Sequence, residues 1–187
     1  MAYEKSTFLK KAVILCDTAE QKNDHIIRVF DEMGIKHEAV SLDFGDYSFT
    51  AEGRNFSLSC AVERKANINE LYSNLTQDRE RIEREFLFAG SVANDFCLLI
   101  ENCGSLEDLR NYTVPKWEMQ KFGRKVDNIG DYCYCAIKSW ECGNKYNFNT
   151  VFAENKADSA IILIEHFYYY WRNFKKLAAN RKLIGRG

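Results

Sequence analysis

Proline is almost missing from this 187-residue sequence, occurring once, and glycine occurs only ten times. Collagen-like and proline-rich low-complexity chains are thereby excluded. Hydrophobic residues at 46% and aromatics at 14% exclude a disordered chain as well. Net charge is also missing: 26 Lys and Arg stand against 27 Asp and Glu, leaving −1. No bulk positive field announces a nucleic-acid partner, so such a partner has to be met by local patches. Long apolar runs are absent. The most apolar stretch, residues 159–171, is interrupted by Glu165 and His166 and falls short of the roughly 20 residues that a membrane span requires. Lysines at positions 5, 10 and 11 break up the start of the sequence, so no secretory leader is expected and the reading places the chain in the cytoplasm.

The seven cysteines are an odd number without framework spacing. Cys16, Cys60 and Cys97 sit inside apolar runs and read as small buried hydrophobes of a reducing compartment. Cys133-x-Cys135 with Cys142 has the wrong spacing for a zinc knuckle, and no histidine lies near. His25, His37 and His166 read as structural or solvated. The length suits one domain over 1–187.

Periodicity predicts the elements. Residues 12–17 read as a buried strand, and Ile26, Ile27, Phe30 and Met33 as one face of a helix stopped by Gly34. Ile35–Leu42 reads as a strand. Phe44–Ala51 and Asn55–Lys65 read as a hairpin around Glu52-Gly53-Arg54-Asn55, with Phe56, Leu58, Cys60 and Val62 alternating on the apolar face. A helix over 69–89, a strand over 95–101, an irregular excursion over 104–128, a helix over 129–141, a strand over 146–153 and a long helix from 157 to about 182 follow. Ile161, Ile164, Tyr168, Trp171 and Phe174 are the expected spine of the last helix, with one of the three tyrosines at 168–170 facing the core. The expected fold class is α/β: a mixed central β-sheet flanked by α-helices, in the order β-α-β-β-β-α-β-α-β-α.

The chemistry concentrates in Ala61-Val62-Glu63-Arg64-Lys65. On a strand Glu63 and Lys65 share one face, and Val62 and Arg64 the other. Hairpin pairing brings Asp46 opposite or diagonal to Glu63, about 4.5–8 Å between Cβ atoms. Two carboxylates at that separation repel each other, and they read either as solvated acids on an exposed face or as ligands of a divalent cation lying between them, with Lys65 alongside. Asp, then Glu-x-Lys on the next strand, is the arrangement of metal-dependent phosphodiesterases: carboxylates hold Mg²⁺ with waters retained, and a lysine positions water or neutralises phosphate charge. The first strand ends in Asp17-Thr18-Ala19-Glu20, acids at the carboxyl end of a strand, where active sites open.

The set Ile14-Leu15-Cys16-Asp17-x-x-Glu20, Gly45-Asp46-Tyr47 and Val62-Glu63-Arg64-Lys65 resembles the nuclease domain of the XPF family, which includes Hef and has bacterial and phage members. The resemblance covers residues 12–101 well, with Asn74–Phe86 and Cys97–Glu101 included, and the remainder in outline. It implies a restriction-endonuclease-like core and a DNA endonuclease that depends on Mg²⁺ or Mn²⁺. It implies Asp17, Asp46 and Glu63 as metal ligands, the Arg64 carbonyl as a further ligand, Glu20 as an accessory acid, Lys65 as the catalytic lysine, and Arg79 as a residue orienting a phosphate or the acids. A surface salt bridge is the other reading of Arg79. The substrate implied is branched, flapped or forked DNA, and the partner a homodimer or a second nuclease domain. A catalytically silent DNA-binding subunit and a sequence-specific restriction-type enzyme are the alternatives. Two positions depart from the family pattern: Ala19 stands where an Arg is usual, and Asn69 where an acid follows the motif. Asn69 also reads as the cap of the helix that follows. No helix-hairpin-helix module is visible.

Basic patches are where DNA is expected to sit. Residues 110–125 hold five basic residues against one acid, and Trp117 and Phe122 interleave with Lys116, Lys121, Arg124 and Lys125 as stacking surfaces. Residues 172–187 hold six basic residues and no acid, with Arg172, Lys175 and Lys176 foremost. The competing explanation is that helix carboxyl ends favour cations.

Overall fold

A computed structural model describes residues 2–115, 128–142 and 146–184, with side chains described from 5 to 180. The elements are α1 (Ala2–Lys11), β1 (Ala12–Asp17), α2 (Asp24–Glu32), β2 (His37–Val40), β3 (Tyr47–Ala51), β4 (Arg54–Asn55), β5 (Cys60–Lys65), α3 (Ile68–Thr76), α4 (Arg79–Val92), β6 (Asp95–Glu101), α5 (Leu106–Asn111), α6 (Ile129–Cys142), β7 (Asn149–Ala153) and α7 (Lys156–Ile184). The strands form one sheet in the order β2-β1-β3-β5-β6-β7, with the short β4 paired to β3. The sheet is mixed: β3 runs antiparallel to both β1 and β5, whereas β1–β2, β5–β6 and β6–β7 are parallel.

Because strand side chains alternate, the sheet has two cores. Ile14, Cys16, Tyr47, Phe49, Val62, Cys97 and Leu99 face one way and meet Phe8 of α1, Ile26 and Phe30 of α2, and Leu163, Phe167 and Trp171 of α7. Ala61, Phe96, Leu98 and Ile100 face the other way, under Leu71 and Leu75 of α3, Ile82 and Phe86 of α4, and Cys133, Ile137 and Trp140 of α6. Among the described residues no helix is long and apolar enough to cross a membrane.

The fold departs from the periodicity reading at identifiable points. The amino-terminal helix α1 carries no periodic signal, and its fully buried Phe8 packs on Phe49, Tyr168 and Trp171. The hairpin turn sits where expected, with Glu52 and Gly53 both at positive φ, the two-residue turn whose twist suits antiparallel strands. The second strand is broken, however. The amides of Ser59 and Cys60 donate to the Phe56 carbonyl, so 56–59 form a turn and Leu58 points to solvent instead of joining the apolar face. The expected helix over 69–89 is two helices. Asn67, not Asn69, caps α3, its side chain accepting the Glu70 amide, and the Thr76 hydroxyl donates back to the Tyr72 carbonyl at its end, competing with continuation. The excursion over 104–128 contains α5, started by Ser105, whose hydroxyl accepts the Asp108 amide and donates to the Asp108 carboxylate. On α7, Ala160, Leu163, Ile164, Phe167, Tyr168 and Trp171 make the buried face, while Ile161 is exposed and Phe174 only partly covered. Tyr168 is the buried member of the three tyrosines and Tyr169 is exposed.

Gly45 precedes β3 for a steric reason. Its φ is +70°, and a Cβ there would lie 3.2 Å from both the Ala61 Cβ and the Val62 carbonyl oxygen. Only glycine reaches that conformation cheaply and lets the following Asp46 close on β5. Gly45→Ala is expected to cost about 1–3 kcal/mol, read as a lowered midpoint in urea denaturation, whereas Gly53→Ala, which meets no neighbour within 4 Å, should cost less.

Candidate active site

The register of β3 on β5 builds the site. Tyr47 pairs with Val62, and both point into the core under α7. One residue outward, the chain closes tightly: the Asp46 amide donates to the Val62 carbonyl at 2.9 Å, and the Arg64 amide donates to Asp46 Oδ2 at 2.7 Å. The Asp46 carboxylate is therefore pinned across the end of β5. Asp17 joins from β1, its amide donating to the Asp46 carbonyl at 2.8 Å. Its Oδ1 accepts the Leu42 amide and its Oδ2 the Ala19 amide. By alternation Asp17, Asp46, Glu63 and Lys65 all leave the sheet on the α3–α4 side. There they line an open cavity of about 440 Å³ together with Glu20, Glu70, Asn74, Arg81 and Glu85.

The electrostatics of this cavity are those of crowded acids. Lys65 donates its ammonium to Glu63 Oε1, and both residues are only 5% exposed. Burial works against the Lys65 charge, but the carboxylates of Glu63 and Asp46 outweigh it and hold the ammonium pKa above the ordinary lysine value. Burial, then the neighbouring Glu63 charge, push the Asp46 carboxyl well above the usual range, against the pull of Lys65. Glu85 on α4 is pushed up to about 7 by burial and by the charge and hydrogen bond of Glu63. An acid whose pKa is raised by like neighbours is an acid short of positive charge.

Arg64 leaves the strand on the opposite face. Its guanidinium donates to Glu101 Oε2 at 2.8 Å, to Glu20 Oε2 at 3.0 and 3.2 Å, and to the Lys22 carbonyl. Glu101 is fully buried and shares its other oxygen with His25 Nε2 at 2.7 Å. Burial opposes the Arg64 charge, and Glu101 and Glu20 restore it, leaving its pKa above the ordinary value. Glu20 thus reaches the cavity rim while its carboxylate is held by Arg64.

The remaining sequence candidates lie elsewhere. Arg79 donates to Glu83 at 2.8 Å and to the Tyr132 hydroxyl, outside the cavity lining. The basic residue of that helix in the lining is Arg81, 3.5 Å from Glu85. Lys175 stacks over Trp171 at 4.4 Å and pairs with Glu52, and Lys176 is exposed. With Arg172, they ride on α7, which covers the face away from the acids. Lys116, Lys121, Arg124 and Lys125 lie outside the described residues. Asn69 accepts from the Tyr112 hydroxyl at 3.0 Å. Glu85 entered only as part of the resembling segment Asn74–Phe86, without a site role, and Arg81 was missed, because residues 78–85 alternate sign so densely that no single charge stands out; their spacing of four, on a helix whose next residue Phe86 is buried, is the signal that could have found them.

The donor set fits a hard divalent cation. All candidate ligands are oxygens, which Mg²⁺ and Mn²⁺ prefer. Asp17 and Asp46 accept backbone amides with lone pairs to spare, and the raised carboxyl pKa values reflect a deficit that a dication would fill. In this arrangement the acids line the cavity without closing into a cage. Among the described residues the only His/Cys/Asp/Glu triple with ligand atoms all within 4.8 Å of one another is Cys60, Asp95 and His166, elsewhere on the sheet.

The crowding has a pH signature in protein stripped of divalent ions. Glu85 binds its proton more tightly folded than unfolded, so between about 4.5 and about 7 the folded state holds more protons and stability falls as pH rises. Glu85→Gln is expected to raise the thermal midpoint at pH 8 and to leave it nearly unchanged at pH 4, measured by circular dichroism melts in EDTA.

The ERCC4 domain family matches residues 16–166. Among solved structures, XPF from Aeropyrum pernix superposes with a TM-score of 0.59 at 14% identity, covering 84% of this chain and 61% of that chain. The same archaeal XPF in complex with DNA gives 0.58 at 13% identity, covering 87% and 66%. This chain therefore spans roughly two thirds of the length of those structures and shares their fold. Among curated proteins no sequence matches. The family match runs from Cys16, at the end of β1, to His166 on α7, and so takes in the whole acidic cavity: the chain belongs to the ERCC4 domain family.

Proposed function

We propose that this chain is a divalent-metal-dependent DNA endonuclease that hydrolyses phosphodiester bonds, selective for branched, flapped or forked DNA, with residues 1–187 acting as one nuclease domain. The observation that carries the reading is the burial of Glu63 and Lys65, with half-buried Asp46 beside them, on one cavity wall at the ends of adjacent strands. Burying two acids and a cation at a cavity is costly unless the charges are used. The DNA complex of the archaeal XPF supports DNA as substrate for this fold.

Asp17, Asp46 and Glu63 would hold Mg²⁺ or Mn²⁺, with the Arg64 carbonyl as a further oxygen. The chemistry such a cation supplies is water made acidic enough to attack, and neutralised phosphate charge. The chain's own residues do the rest. Lys65 stays protonated at neutral pH because Glu63 and Asp46 favour its charged form. It acts as a cation toward the phosphate oxygens and not as the base that takes a proton from water. Asp46 is fixed by the Arg64 amide and Asp17 by two loop amides, so neither needs to reorganise as charge develops. Arg81, at the open side, is placed to bind the phosphate in exchange for its long contact with Glu85.

Glu63→Gln and Lys65→Ala are each expected to lower cleavage by at least about a hundredfold while the circular dichroism spectrum and DNA binding persist. Arg81→Ala should weaken DNA binding, and Arg79→Ala should not. The assay is cleavage of labelled forks, flaps and linear duplex with Mg²⁺, with Mn²⁺ and with EDTA. Binding to forks without cleavage under any ion would make the chain a silent DNA-binding subunit. Cutting of linear duplex at defined sites in preference to forks would make it a restriction-type enzyme.

A further inference from the structure

The two central strands that end at the acidic cavity begin at a cluster of different chemistry. Cys60 opens β5 and Asp95 opens β6, and the two are register partners in the parallel pair. Both side chains lie on the α7 face, and α7 brings His166 against them. The Cys60 sulfur, an Asp95 carboxylate oxygen and a His166 ring nitrogen all fall within 4.8 Å of one another.

The geometry is not that of an ordinary His–Asp pair. His166 Nε2 is 3.3 Å from Asp95 Oδ2, yet it is buried and makes no hydrogen bond. The two atoms are close without being aimed at each other. Two ligands at bond lengths of about 2.0–2.1 Å and a tetrahedral angle stand about 3.3–3.4 Å apart, which is the separation seen. A His–Asp pair also gives no reason for the sulfur beside it.

We propose that Cys60, Asp95 and His166 form a three-ligand site for a thiophilic divalent cation, zinc in the first instance, that clamps α7 onto the first residues of β5 and β6. One sulfur, one nitrogen and one carboxylate oxygen is a donor set that suits Zn²⁺ and that Mg²⁺ avoids. Softness therefore separates this site from the acidic cavity, where every donor is oxygen. The fourth position is left to water. Asp95 and His166 also line a groove of about 970 Å³ with Asn94, Asn149 and Tyr169, which provides the path for the ion. Burial and the Asp95 charge push the Cys60 thiol up, so binding exchanges the thiol proton for the metal and releases it to solvent.

The test uses the full chain stripped of metal and titrated with Zn²⁺, and with Co²⁺ as a reporter of thiolate ligation through its near-ultraviolet charge-transfer absorption. One zinc per chain and a cobalt–thiolate band are expected. Both should be retained in Asp46→Asn and in Cys97→Ala. Cys60→Ala should abolish the band, and His166→Gln and Asp95→Asn should weaken zinc binding at least about tenfold. Thermal midpoints should rise with zinc in wild type and not in Cys60→Ala. If Cys60→Ala fails to fold, the His166 and Asp95 variants carry the same comparison. Absence of the band in wild type, its survival in Cys60→Ala, or equal zinc affinity in wild type and His166→Gln would overturn the proposal.

Discussion

The acidic end of the molecule depends on one constraint: three consecutive charged residues, Glu63, Arg64 and Lys65, are buried at the end of a central strand. A buried charge persists only when it is paired. Alternation sends neighbouring side chains to opposite faces, so the three cannot share partners. Glu63 and Lys65 satisfy each other on the α3–α4 side. Arg64, alone on the other side, requires anions of its own and finds them in Glu20 and Glu101. Those partners belong to the loop after β1 and the last residue of β6, and His25 on α2 extends the chain of contacts. The guanidinium thereby fixes where three strand ends and a helix lie relative to one another. Asp46 is positioned by the Arg64 amide of β5, and Asp17 by the amides of Ala19 and of Leu42 in the loops after β1 and β2. Removing one member of such a buried pair typically costs about 3–5 kcal/mol, so the acids hold their places only while Arg64 is paired.

Parity was legible in the sequence, because it is local. The division of Val62 and Arg64 from Glu63 and Lys65 follows from a strand assignment alone. The pairing of Asp46 with the end of β5 was expected from an unbroken hairpin, but the hairpin's own register points Asp46 at Ser59, and it is the turn at 56–59 that brings Glu63 opposite. What was not legible required knowing what lies across space. The charges of α4 look alike along the chain, and only the approach of that helix to Glu63 singles out Glu85. Arg79 and Arg81 are two residues apart, so they face different directions on a helix, and nothing local along the chain distinguishes them. Phe8 was hidden because its lysine-rich helix shows no periodic apolar pattern. Leu58 was misplaced because an alternating run was read straight through a turn that carries no proline or glycine.

β5 contributes to both candidate metal sites, at opposite ends. Cys60 and Asp95 begin β5 and β6, while Lys65 and Glu101 end them. Between the ends the pair is apolar on both faces, with Ala61, Val62, Cys97, Leu98 and Leu99 buried. This apolar middle keeps the two polar clusters apart and makes the central pair rigid. It also forces a chemical division, because sulfur and imidazole at one end and oxygen at the other select different cations from the same solution.

Register is the property that such a sheet must retain while its sequence changes. A slip of one residue between β3 and β5 would turn Asp46 into the core under α7 and leave Glu63 without its neighbour. The paired residue numbers add to 105 at the hairpin, where Thr50 meets Asn55, and to 109 at the site, where Tyr47 meets Val62. The difference of four is taken up by the turn at residues 56–59. Four is even, so every side chain beyond the turn keeps the face it would have had in an unbroken hairpin. An insertion of odd length would have exchanged Glu63 and Lys65 with Val62 and Arg64. The bulged turn therefore costs the sheet some pairing but leaves Asp46, Glu63 and Lys65 on one side of the sheet.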